Sequence, residues 1–142
     1  MRKNTSHVIG TLVSIMICAS SSIYADDISA ENLAYIVSPI NGATVSSPVK
    51  VVFGLSAPYG VAPAGVVMDN TGHHHLIIDA ELPNLAGPIP KDNNYRHFGG
   101  GQTEASIELS PGVHTLQLLL GDFKHVPHAS PIISEQIRIT VE

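Results

Sequence analysis

Three histidines stand in a row at His73, His74 and His75 in "GHHHLIID", His125 and His128 close "GDFKHVPH", and His97 opens "HFGGGQTE". Imidazole binds Zn, Cu and Ni well and titrates near neutral pH, so metal ligation and proton transfer are the chemistries such residues could perform. In a strand, alternate side chains share a face, which sets His73 and His75 beside Ile77 and leaves His74 with Leu76 and Ile78. Residues two apart along a strand are roughly 6.6–6.8 Å apart, close enough for their rings to converge on one ion with bonds of about 2.0–2.1 Å. In "HVPH", Pro127 restricts the loop, so His125 and His128 are expected to point the same way and supply a second half-site. His73, His75, His125 and His128 are the expected metal ligands, with His97 as a completing one.

Each residue also has a plainer reading. His74 is expected to pack in the interior, and His114, at the start of a strand, to be held by hydrogen bonds. The other histidines could instead join glycines in a hydrogen-bond network that fastens two long loops. Asp122, Glu104 and Gln102 are the nearby groups able to orient a ligating ring. Gly99, Gly100 and Gly101 superficially resemble the oxyanion loop of lipases, but no "GxSxG" nucleophile motif accompanies them, and a bulge or tight turn leading into a strand explains them better.

The elements that must position these residues read as strands. Period-two apolar runs occur at 33–38, 49–56, 73–79, 103–109, 113–121 and 132–141, separated by Gly, Pro, Asn and Ser clusters. No stretch after the N-terminal segment keeps a helical period. Residues 57–72 and 80–102 are long connections, and the second is expected to hold a short edge strand near "GPIP". Six or seven short strands predict an all-β, two-sheet sandwich of immunoglobulin-like type. If successive strands alternate in direction, His73, His97, His125 and His128 gather at one pole and His114 lies at the other. With the edge strand of the second connection counted as the fourth, the third strand (73–79) and the sixth (113–121) should pair antiparallel, bringing "GHHH" beside "GDFKHVPH".

Composition narrows the function. Arg2 and Lys3, the apolar run Val8–Ala19 and "SSIYA" read as a signal peptide over residues 1–25, leaving a single exported domain at 26–142 in the periplasm or outside the cell. The only cysteine, Cys18, lies in that segment, so the remaining chain can form neither disulfides nor thiolate sites. Without Arg2 and Lys3, five basic residues face twelve acidic ones, a balance that disfavours nucleic acid. No membrane-spanning segment is expected in the exported chain. Protonating its seven histidines would bring the charge from −7 to zero, a possible route to acid sensing.

"PAGVVMDNTGHHHLIID", "HFGGGQTEASIEL", "PGVHTLQLLLGDFKHVPH" and "SPIISEQIRITV" together resemble a small exported bacterial family catalogued as domain of unknown function 4399, over about Pro39 to Val141. The resemblance implies an exported β domain and carries over no site residue. The residues themselves point to binding of Cu(II) or Zn for storage, delivery or tolerance, since Met68 is the only soft ligand left besides the imidazoles. A non-metallic envelope module that contacts a protein partner is the alternative. A metal-dependent hydrolase using Asp122 or Glu104 as base is a third reading, and an enzyme is the less favoured class.

Overall fold

The computed structural model describes residues 33–142. The signal peptide expected at 1–25 therefore lies outside the described residues. Nine strands follow in order: β1 (Ala34–Ser38), β2 (Thr44–Val45), β3 (Val49–Leu55), β4 (Gly60–Val61), β5 (Thr71–Ile78), β6 (Tyr95–His97), β7 (Glu104–Ile107), β8 (Gly112–Gly121) and β9 (Ile137–Val141). They form two packed sheets, β1-β3-β7 and β2-β9-β8-β5, the latter with β4 and β6 in succession along the other edge of β5. The molecule is an all-β sandwich, and among the described residues there is no helix.

Alternation explains the layering. Ala34, Val49, Val51 and Phe53 of the small sheet meet Leu76, Ile78, Leu116, Leu118, Leu120 and Ile139 of the large one in the main core. The intervening positions Ile77 and Leu119 face the opposite way and close over Ile89, with Leu85, Tyr95 and Ile133 packed around them. The long 79–94 connection thus covers the outer face of the large sheet. β5 is consequently buried on both faces from Gly72 to Ile78. Its first strand positions therefore place imidazoles in the interior, where polar groups are costly unless satisfied.

The six sequence-predicted strands are present, the last of them only over Ile137–Val141, and those expected at 73–79 and 113–121, β5 and β8, pair antiparallel with His73 opposite Gly121. The edge strand of the long connection forms at Tyr95–His97 rather than at "GPIP". Asn94 helps to fix it: its Nδ2 donates to the Ile78 carbonyl at 2.8 Å, and Asp92 Oδ1 accepts from the Asn94 and Tyr95 amides. Pro88 and Pro90 lack the amide that a paired strand needs, whereas "YRH" can pair fully.

Candidate metal centre

Four imidazoles meet on the outer face of the large sheet, beyond Ile77. His75 and His97 are direct cross-strand neighbours on β5 and β6, and their ring centroids lie 5.1 Å apart. His73, two positions earlier on the same face, is 4.8 Å from His75 and 4.9 Å from His97. His125 completes the group from the turn after β8, at 4.7 Å from His97, 5.0 Å from His73 and 6.1 Å from His75. His73, His97 and His125 each bring one ring nitrogen within 4.8 Å of the others, and these three could hold a metal ion.

Local backbone chemistry aims each ring. His125 has φ of 66°, in the left-handed region that non-glycine residues rarely occupy. Asp122 imposes this turn: its Oδ1 accepts from the Lys124 and Val126 amides at 2.8 and 2.9 Å, and its carbonyl accepts from the His125 amide at 2.9 Å. The His125 carbonyl in turn accepts from the Ile89 amide at 2.7 Å, which ties the covering loop to the turn. Glycine supplies the remaining room. A Cβ at Gly121 would stand 2.7 Å from His75 Cε1, and one at Gly99 would overlap the edge of the His97 ring.

Electrostatically, His73, His75 and His97 favour the neutral imidazole. Burial, and then the neighbouring His97 and His125, push the His73 imidazole down to about 4. Burial followed by His73 and His97 takes His75 to about 3. His97 is also lowered, by burial first and then by His125 and Lys91. Both ring nitrogens of His73, Nδ1 of His75 and Nε2 of His97 are buried without a hydrogen-bond partner among the described residues. Buried polar atoms in folded proteins are nearly always paired, so unpaired lone pairs converging from several rings are the arrangement a cation would satisfy. A cavity of about 290 Å³, lined by His75, Pro88, Ile89, Lys91, His97 and His125, gives access from solvent.

The other residues singled out from the sequence lie elsewhere. His128 stands edge-on to Tyr59, with ring centroids 5.3 Å apart, and is not among the four clustered rings. His74 packs against Phe53 on the core side at 5.2 Å, and burial lowers its imidazole to about 4. His114 bridges Asp79 Oδ2 at 2.6 Å and the Ser110 carbonyl at 2.8 Å, and these bonds raise its pKa. Glu104 is paired with Lys50 at 3.1 Å, while Gln102 Oε1 accepts from the Gly100 amide and closes the triple-glycine turn. Asp122 acts on the turn that carries His125. Sequence reasoning overlooked Gly121 and read Gly99 only as part of a turn; the ring each of them accommodates appears only once strand register is known.

No curated protein and no solved structure matches the chain. The family model described as "Domain of unknown function (DUF4399)" matches residues 51–142. The chain belongs to that family, whose members share a domain without an assigned activity.

Proposed function

We propose that this protein binds a divalent transition ion, Zn or Cu(II), through His73, His97 and His125, with His75 as the fourth ligand. The observation that carries the reading is the convergence of three imidazoles from β5, β6 and the turn after β8, with nitrogens within 4.8 Å of one another. His114 spends its nitrogens on Asp79 and the Ser110 carbonyl, whereas the buried nitrogens of His73 have no partner among the described residues; those of His74 are equally unpaired, so it is the convergence of rings around His73 that supports a ligand role. An all-imidazole set suits Zn and Cu(II) better than Cu(I). The N-terminal sequence supports export, and a coherent role is metal storage, delivery or tolerance in the bacterial envelope.

Calorimetric titration of tag-free protein with Zn and Cu(II) tests this. The expected result is one ion per chain, and binding should fall at least 100-fold in His97→Ala. Absence of stoichiometric binding, or equal binding by the variant, would refute the assignment.

A further inference from the structure

The cationic side chains of this acidic protein are unevenly placed. Of the five Lys and Arg residues in the described chain, Lys50 pairs with Glu104, whereas Lys91, Arg96 and Lys124 all belong to the segments that surround the histidine cluster. Among the described residues, no carboxylate lies within salt-bridge distance of these three. A bare cation site gains nothing from positive neighbours. A site that takes a cation together with an anion does.

The place for the anion is a cleft of about 490 Å³ between β6 and β7, the facing edges of the two sheets. Arg96 alternates with His97 on β6, so its side chain points to the inner side while the His97 ring joins the cluster outside. Arg96 Nε is buried there without a hydrogen-bond partner. Ser106 and Asn93 contribute neutral polar groups, and Phe98, Ala105 and Ile107 form an apolar wall. Asp92 also borders the cleft, but its Oδ1 is held by the Asn94 and Tyr95 amides. Lys91 and His97 line both this cleft and the smaller cavity over the imidazoles, so the two spaces share two lining residues.

We propose that the cleft binds a small organic carboxylate, clamped by Arg96 and Lys91, that reaches around β6 to the ion held by the histidines. A guanidinium can present two parallel N–H donors through its terminal nitrogens, the geometry that matches a planar carboxylate. The apolar wall fits a short hydrocarbon linker, which makes a dicarboxylate the best-suited class. The bridging part rests on the metal reading above, while the Arg96 cleft does not. Binding of ion and carboxylate should be mutually reinforcing, because linkage is reciprocal.

Amide-resolved NMR titration of the tag-free protein with succinate, with and without Zn, tests both parts. Saturable shifts should map to residues 91–98 and 105–107 in the two forms, with at least tenfold tighter binding when Zn is present. Arg96→Met, with a native-like spectrum, should abolish them, and Lys91→Met should weaken binding at least fivefold. Inorganic phosphate in place of succinate should bind more weakly; equal or tighter phosphate binding would overturn the carboxylate assignment. Shifts that do not saturate, or that persist unchanged in Arg96→Met, would overturn the cleft site. Equal succinate affinity with and without bound Zn would overturn the bridge. Failure of Zn itself to bind would sink the proposed function and the bridge, leaving the zinc-free titration to decide the cleft.

Discussion

Gly121→Ala isolates the role of His75. Alanine in place of a strand glycine ordinarily gains roughly 0.5–1 kcal/mol. Here the new Cβ would lie 2.7 Å from His75 Cε1 and 3.1 Å from Nδ1, with Ile89 Cδ1 at 3.2 Å on another side. To reach ordinary contact at 3.4 Å, the ring must retreat by about 0.7 Å. His73 and His97 already crowd it at 4.8 and 5.1 Å between centroids. Overpacking of this kind costs roughly 1–3 kcal/mol, enough to reverse the expected gain and leave the metal-free protein less stable by about 1 kcal/mol. The effect on metal should be larger in proportion, because ligand distances tolerate only about 0.2 Å of error. Zinc affinity, measured by competition with a chromophoric chelator, is expected to fall by roughly 10–100-fold, the range seen when support of a ligand is lost. Urea unfolding of the metal-free protein reads the stability term separately. Lower stability with unchanged zinc affinity would refute His75 as a ligand.

Three further expectations follow from named contacts. His125→Gly should unfold at higher urea than His125→Ala by roughly 1 kcal/mol, because both lose the ring but only glycine accepts the left-handed backbone at no cost; equal midpoints would count against strain at this turn. His74 is buried with its pKa lowered to about 4, so the unfolded chain takes up its proton first as pH falls from 6.5 toward 4, and stability is lost over that window. His74→Leu should remove roughly 2 kcal/mol of that loss, as seen by comparing urea midpoints at pH 7 and pH 4.5. Asp79→Ala should lower stability by roughly 2 kcal/mol through loss of its bonds to the His114 ring and the Thr115 amide, with calorimetric zinc affinity unchanged; a parallel loss of zinc binding would show that the two ends of the sheet are coupled.

Much of this arrangement was legible before any coordinates. Period two assigned His73 and His75 to one face and His74 to the other, and chain direction brought "GHHH" beside the segment after β8. His97 was harder to place, since three residues cannot display a period, and only pairing with β5 sets His97 directly across from His75. The spacing of His125 and His128 misleads for a backbone reason. The left-handed His125 turns the chain, Pro127 bridges to Gly121, and His125 meets His97 while His128 meets Tyr59. Gly121 carries no signal of its own in one sequence, and Gly99 signals only a turn, because an absent side chain has meaning only against the neighbour that fills its space.

The three imidazoles best placed for an ion belong to segments far apart in the chain, in a domain whose described part contains no thiol. A bound cation there would be a knot tied through three lengths of backbone, doing for this fold what a cystine bridge does for other small domains. Surrendering the cargo and loosening that end of the sandwich would then be a single event.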